Sequence, residues 1–218
     1  MATVLITGAN RGLGLEFVKQ YAADEWAVIA VCRHPEKADE LQKLMQKYNR
    51  VRIEGVDVTD AHSVNILREK LADTEIDVLI NNAGVFTGGT VSGSATKIDM
   101  GQNFGTINAD EWASVLRTNT IAPVMLTEAL LTNLQRSKEA KVINITSRMG
   151  SIDEMGPSYI AYRTSKAALN AAMRVIAHDL KTKYVTIVNM HPGWVKTDMG
   201  GQEAPLEPPD SIKGMRKV

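Results

Sequence analysis

Along the chain, short runs that are apolar at nearly every position alternate with longer segments whose apolar residues recur at the period of a helix. The short runs are rich in β-branched residues and predict strands at Ala2 to Thr7, Trp26 to Cys32, Val51 to Val56, Asp77 to Ile80, Lys141 to Thr146 and Val185 to Met190. A strand that is apolar on both faces is covered on both faces, so these runs belong in a parallel sheet sandwiched between helices and joined by right-handed crossovers. The expected fold is therefore α/β, a doubly wound parallel sheet with helices on both faces. In such a sheet ligands sit beyond the carboxyl ends of the strands, which makes each strand-to-helix turn a candidate for function.

The longest helices are expected from Asp110 to about Gln135 and from Ser158 to about Lys181, the second following the helix-stopping pair Gly156-Pro157. Two irregular segments, Phe86 to Gly105 and Gly193 to Pro209, follow strand ends on the side where a substrate would enter. They read as binding loops, with plain solvated connections as the alternative.

Bulk properties narrow the function without choosing it. The 218 residues suit one α/β domain spanning 1–218. With 25 basic and 25 acidic residues and no run of like charge, nothing points to nucleic acid or a membrane surface as partner. No apolar stretch approaches the roughly 20 residues that cross a bilayer, and the N-terminus runs into a strand without a targeting pattern. The lone Cys32 allows no internal disulfide, and a reducing cytoplasm is the expected location. His34, His62, His178 and His191 show no metal-ligand spacing, so no metal is expected.

The first turn, Thr7-Gly8-Ala9-Asn10-Arg11-Gly12-Leu13-Gly14, lies between a strand and a helix. Gly8 permits a tight turn, Gly12 lets backbone approach a pyrophosphate, and Gly14 lets helix pack on strand, while the helix N-terminal amides face the anion. Taken alone, the spacing also fits an ordinary glycine turn.

This spacing differs from G-x-G-x-x-G and resembles the glycine motif of the short-chain dehydrogenases/reductases. Further segments resemble that family in chain order. Asp57-Val58 is similar to its adenine-binding pair, Asn81-Asn82-Ala83-Gly84 to its N-N-A-G motif and Asn119 to its helix asparagine. Ser147 and Tyr162-Arg163-Thr164-Ser165-Lys166 are similar to its serine and Y-x-x-x-K, and Pro192-Gly193 with Val195 and Thr197 to the segment that holds the nicotinamide carboxamide. The resemblance runs from Ala2 to about Asp198, and the string Y-R-T-S-K-A-A-L-N from Tyr162 looks most like the C-signal and sniffer-like carbonyl reductases. It implies a Rossmann-like single domain that transfers a hydride between a nicotinamide and a small carbonyl or alcohol substrate. The residues it implies around the cofactor are Gly8, Asn10, Arg11, Gly12, Leu13, Gly14, Arg33, Asp57, Val58, Asn81, Ala83, Gly84, Tyr162, Lys166, Pro192, Gly193, Val195 and Thr197.

Cofactor choice follows from the end of the second strand, Cys32-Arg33-His34, where an NAD enzyme would offer an acid to the adenosine ribose. No acid stands there. Arg33 and Arg11 can instead grip a 2′-phosphate through paired charge-assisted hydrogen bonds, which favours NADP(H) over NAD(H); the alternative makes both ordinary surface arginines.

Tyr162 and Lys166, four apart, project from one face of the predicted helix. Free tyrosine titrates near 10 and free lysine near 10.4, so the environment must tune them. A nearby ammonium, with the positive nicotinamide ring of the oxidised complex, is expected to lower the tyrosine value. By resemblance, Tyr162 protonates the carbonyl oxygen, Lys166 holds the nicotinamide ribose hydroxyls, and Ser147 donates a hydrogen bond to the same oxygen. Four residues after Asn119 comes Pro123, which has no N–H to give the Asn119 carbonyl. That carbonyl either holds a water, which the family uses as a proton relay, or marks a simple proline kink.

Two features depart from the family. Ser147 and Tyr162 stand fifteen residues apart, slightly beyond the usual spacing, so Ile152 to Pro157 is expected to reshape the pocket. The chain also ends at Val218 in a helical pattern where the family continues into a last strand, so that strand is expected to be missing and a sheet edge exposed. Met149, Met155, Tyr159 and Trp194 offer apolar lining, and alanines 167, 168, 171 and 172 permit the close helix approach of a homodimer. A reading from another class is a cofactor-binding regulatory or signalling protein that uses the same fold as a redox sensor; the intact Ser-Tyr-Lys set argues against it.

Overall fold

In β1 (Thr3–Thr7), Val4 and Ile6 pack on one face of a sheet and Leu5 on the other, and all three are inaccessible to solvent. A strand covered on both sides needs helices on both sides, and the computed structural model, which describes residues 1–86 and 102–218, supplies them. β2 (Ala27–Cys32), β3 (Val51–Gly55), β4 (Val78–Asn81), β5 (Ala140–Ile145) and β6 (Val185–Met190) complete a parallel sheet in the order β3-β2-β1-β4-β5-β6. Each strand lies within one residue of its predicted bounds at either end.

One layer contains α1 (Gly12–Ala23), α2 (Asp39–Lys47) and α8 (Pro208–Met215), which contribute Phe17, Val18, Leu41, Ile212 and Met215 to the core around Val4 and Ile6. On the other face, α3 (Ala61–Lys70), α5 (Ala122–Ala129) and α6 (Leu131–Leu134) bury Leu67, Leu126 and Leu134 around Leu5 and Leu79. The remaining helices, α4 (Ala109–Leu116) and α7 (Ile160–Asp179), pack on each other, and α7 also packs on β6. Strand order reverses between β1 and β4, and the crevice beyond their carboxyl ends is where such sheets receive a ligand.

The expected helix from Asp110 to Gln135 is not continuous. Between α4 and α5 lies a turn of π-helix, Arg117–Ile121, in which the Ala122 N–H donates to the carbonyl of Arg117, and Leu130 separates α5 from α6. Pro123 accounts for the first interruption, because it has no N–H with which to continue the regular ladder. α7 is unbroken, starting two residues later and ending two earlier than predicted.

Asn81, Asn144 and Asn189 occupy equivalent registers on β4, β5 and β6 and form a ladder of side-chain amides. Asn81 Nδ2 donates to Asn144 Oδ1 at 2.9 Å, Asn144 Nδ2 donates to Asn189 Oδ1 at 3.1 Å, and Asn189 Nδ2 reaches the Asn170 carbonyl of α7 at 3.4 Å. The buried amides of Asn81 and Asn144, left unpaired, would each cost about 1–3 kcal/mol, so the ladder fixes strand register while the exposed Asn189 ties α7 to the sheet. β6 is an edge, with Thr186 and Asn189 exposed, and no further strand pairs with it among the described residues. No helix among those residues is long and apolar enough to cross a membrane.

Candidate active site

The turn after β1 has the geometry that its glycines suggest. Gly8 and Gly12 adopt φ of +63° and +54°, in the left-handed region that glycine enters without strain. A Cβ on Gly14 would stand 2.1 Å from the Gly8 carbonyl oxygen, so the first turn of α1 presses against the loop itself. A Cβ on Gly12 would meet only the Thr197 side chain, 3.5 Å away on the β6 side, which leaves the backbone there otherwise uncovered. Such a cradle, at the N-terminus of α1, suits a pyrophosphate. Asn10 is exposed on the loop, whereas the Leu13 side chain packs into the core and leaves its backbone to face the crevice.

Thr7 and Asn82, neither singled out individually by sequence reasoning, hold this loop to β4. Thr7 Oγ1 accepts from the backbone N–H groups of Asn82 and Ala83, both at 3.0 Å, and Asn82 Nδ2 donates to the carbonyls of Thr7 and Gly8 at 2.9 and 3.2 Å. Asn81 has its side chain committed to Asn144 and Thr127, so only its backbone is available to a ligand. Ala83 and Val58 line a narrow recess beside Thr7 and α5.

At the adenosine end, Arg33 is exposed beyond β2 and lies near Asp57. Burial pushes the Asp57 carboxyl up, but hydrogen bonds from the Thr59 hydroxyl and backbone, with the charges of Arg33 and His34, outweigh it and hold the group below the ordinary aspartate value. Arg11 is not directed towards Arg33. It pairs with Asp198 Oδ2 at 2.9 Å, bridging the glycine loop to the segment after β6. Both side chains are largely exposed, so the pair is worth about 0–1 kcal/mol, and a phosphate can displace the carboxylate. In that segment Pro192 accepts the Ser211 hydroxyl at 2.6 Å, Gly193 has φ +85°, and Val195 bridges to Leu206. Thr197 Oγ1 accepts from the Gly200 N–H at 3.0 Å.

α7 brings Tyr162 and Lys166 to the end of β5, where Ser147 begins a 3-10 turn, Arg148–Gly150. The close approach of this turn to α7 depends on Gly150, where a Cβ would fall 2.7 Å from the Lys166 backbone. Lys166, 5% exposed, donates from Nζ to the Ile145 carbonyl at 2.7 Å, and its ammonium lies 5.9 Å from the Tyr162 ring centroid. Ser147 Oγ accepts the Met149 N–H at 3.1 Å, and its hydroxyl lies close enough to the Tyr162 phenol to favour the phenolate. Asn119 is completely buried, and its side chain is fully occupied: Oδ1 accepts the Val85 N–H at 2.8 Å, while Nδ2 donates to the Val85 carbonyl at 2.7 Å and to Ser165 Oγ at 3.0 Å. It thereby pins the segment after β4, at Val85, to α7. Of the anticipated lining, Trp194 and Met155 are exposed and Tyr159 stands at the start of α7, while residues 87–101 of the expected loop Phe86 to Gly105 lie outside the described residues. Among the described residues no three His, Cys, Asp or Glu side chains cluster as metal ligands.

The expected lowering of Tyr162 concerns the oxidised cofactor complex, and in the protein by itself a different balance holds. In the protein by itself the Tyr162 phenol titrates above, not below, the ordinary tyrosine value, because burial dominates and the Ser147 hydrogen bond only partly opposes it. Lys166 responds to the same burial in the opposite sense, its value falling from 10.5 to about 8. That depression corresponds to about 3 kcal/mol. Below pH 8 lysine is charged in both folded and unfolded chains, and the folded state bears the full cost; between pH 8 and 10.5 the folded state releases its proton first and the cost disappears. Urea unfolding of the parent and of Lys166→Met should therefore show the parent gaining on the variant by about 2–3 kcal/mol between pH 7 and pH 10. A pH-independent difference would contradict the burial of this ammonium.

Comparison with known proteins agrees with this geometry. The C-signal protein of Myxococcus xanthus is 43% identical over 145 residues, which cover 66% of this chain and 80% of that protein. The structure of an NADPH-bound carbonyl reductase from chicken fatty liver is 34% identical and superposes with a TM-score of 0.88 over 100% of this chain and 90% of that one. The carbonyl reductase Sniffer of Drosophila melanogaster is also 34% identical, with a TM-score of 0.85 and the same coverage. The family model for short chain dehydrogenases matches residues 2–207, and the chain is a member of that family of oxidoreductases.

Proposed function

We propose that this protein is an NADP(H)-dependent carbonyl reductase, with Tyr162 as the proton donor. The observation that carries the reading is the convergence of Ser147, Tyr162 and a buried Lys166 at the end of β5, next to the β1/β4 crevice with its glycine cradle. Similarity to carbonyl reductases, one of them NADPH-bound, supports the choice of cofactor and reaction.

A bound nicotinamide would supply the hydride to the carbonyl carbon. The chain supplies the rest. Gly8, Gly12 and the α1 N-terminus would hold the pyrophosphate and Arg33 the 2′-phosphate, while Arg11, now paired with Asp198, would have to leave that carboxylate to join it. By the family resemblance, Asp57 and Val58 would border the adenine, Lys166 Nζ would hold the nicotinamide ribose, and Pro192, Gly193, Val195 and Thr197 would border the carboxamide. As the carbonyl oxygen gains negative charge, Ser147 Oγ donates a hydrogen bond to it and Tyr162 Oη gives it a proton, leaving a phenolate. Burial keeps that phenol protonated at neutral pH, which suits it to the reductive direction. The proton is recovered through Lys166, whose value near 8 lets it cycle between ammonium and amine close to working pH. Exposed Met155 and Trp194, with Tyr159, favour a substrate with an apolar body.

The chemical assignment is tested by Tyr162→Phe, which keeps the ring and removes the acidic proton. Single-turnover NADPH oxidation with a good carbonyl substrate should slow by roughly 10²–10⁴-fold while NADPH affinity changes by less than about twofold. A parent protein that binds NADPH tightly yet reduces nothing in a broad aldehyde and ketone panel would favour the redox-sensor reading instead. The cofactor assignment is tested by Arg33→Asp. Calorimetric titration should show NADPH binding weakened roughly ten- to hundredfold, as for loss of a charged hydrogen bond, with NADH little changed. Tighter binding of NADH than NADPH by the parent would overturn it.

A further inference from the structure

The helix that carries Tyr162 begins without a cap of its own. Its N-cap residue, Tyr159, makes no side-chain capping bond, and both Ser158 and Tyr159 adopt left-handed conformations, with φ of +62° and +57°. Such backbone strain costs about 1–3 kcal/mol per residue and persists only where the surroundings impose it. The first amides of a helix need acceptors, and here they find one residue from a distant part of the chain. Gln102 accepts the Ile160 N–H with its backbone carbonyl at 2.9 Å and the Tyr162 N–H with its side-chain Oε1 at 3.1 Å. Its Nε2 donates to the Phe86 carbonyl at 2.9 Å. Gln102 is 2% exposed, so water does not compete for these bonds. Phe86 in turn lays its ring against those of Tyr162 and Tyr159, with centroids 4.6 and 5.1 Å apart.

We infer that Gln102 is a positioning residue for proton transfer: its side-chain amide fixes the Tyr162 backbone on one side and the Phe86 carbonyl on the other, and so aims the phenol at the reacting oxygen. The inference rests on the assignment of Tyr162 as proton donor. An ordinary cap would act on helix stability alone. Gln102 acts at the backbone N–H of the reacting residue and, through Phe86, at the ring that flanks the phenol. A displacement of about 1 Å in a reacting group is enough to cost on the order of a hundredfold in rate.

Two substitutions separate the halves of this bridge. Gln102→Met keeps the length and the backbone bond to Ile160 and loses both side-chain bonds. Gln102→Glu keeps an acceptor for the Tyr162 N–H, in a place where the helix dipole welcomes negative charge, but cannot donate to Phe86. Turnover, KM, NADPH affinity and the pH profile of kcat would be measured for both, with Tyr162→Phe as reference. Gln102→Met should lower kcat roughly 10- to 100-fold, with NADPH affinity and carbonyl KM within about twofold of the parent. Gln102→Glu should recover most of the lost kcat at its own optimum, and the limb of its pH profile that belongs to Tyr162 should move upward, because a carboxylate nearby disfavours phenolate. If Tyr162→Phe is inactive while Gln102→Met turns over as the parent does, the positioning role is wrong and the assignment of Tyr162 stands. If Tyr162→Phe is fully active, both fall. Should Met at 102 prevent folding, the Glu variant decides alone: an unchanged pH profile overturns the inference, and a raised limb supports it.

Discussion

A lysine ammonium buried beneath the end of β5, with one backbone carbonyl as its hydrogen-bond partner among the described residues, is the constraint on which the rest of this site depends. A buried charge is expensive, and burial lowers Lys166 to about 8, with no carboxylate among the described residues opposing it. A neighbouring acid would stabilise the ammonium and raise its value, removing the ability to change protonation near neutral pH. Stability is given up at this position, and on the proposed reading that is what would let the group carry a proton.

Holding such a group requires the helix around it to be overdetermined. Trp112 of α4 donates to Thr164 at 2.9 Å, Thr120 of the π-helical turn donates to the Ser165 carbonyl at 2.8 Å, and Asn119 reaches Ser165 Oγ. Gly150 admits the 3-10 turn against the Lys166 backbone, and the asparagine ladder fastens α7 to the sheet at Asn170. These contacts hold α7 at residues 164, 165, 166 and 170, on both sides of Lys166 along the helix. The π-turn belongs to the same device. It is the local consequence of Pro123, and it presents Asn119 and Thr120 together to α7.

Much of this was legible in the sequence, for identifiable reasons. The strands were readable because a parallel strand buried on both faces is apolar almost throughout, and the roles of the glycines because Gly8 and Gly14 leave no room for a Cβ and Gly12 adopts a left-handed backbone. Four-residue spacing placed Tyr162 and Lys166 on one helix face. The break in the helix after Asp110 was signalled by Pro123, but helical periodicity alone runs through it. Electrostatics was less accessible: the charge of Lys166 suggests a lowered tyrosine, whereas burial, a tertiary property, pushes Tyr162 up. The partner of Arg11, at Asp198, and the cap of α7, at Gln102, join residues far apart in the chain. Glutamine has no particular preference for helix starts, so nothing local marked it.

The central claim is that burial keeps Tyr162 protonated until a bound cofactor changes its surroundings. It is tested most directly by following the phenol itself, with ring-labelled tyrosine and NMR titration in the absence and presence of NADP⁺, Tyr162→Phe identifying the resonance. The account predicts that Tyr162 titrates above ordinary tyrosine in the protein alone, and that the positive nicotinamide ring shifts it downward on binding. A Tyr162 that titrates at or below the ordinary value without cofactor, or that does not move when NADP⁺ binds, would contradict it.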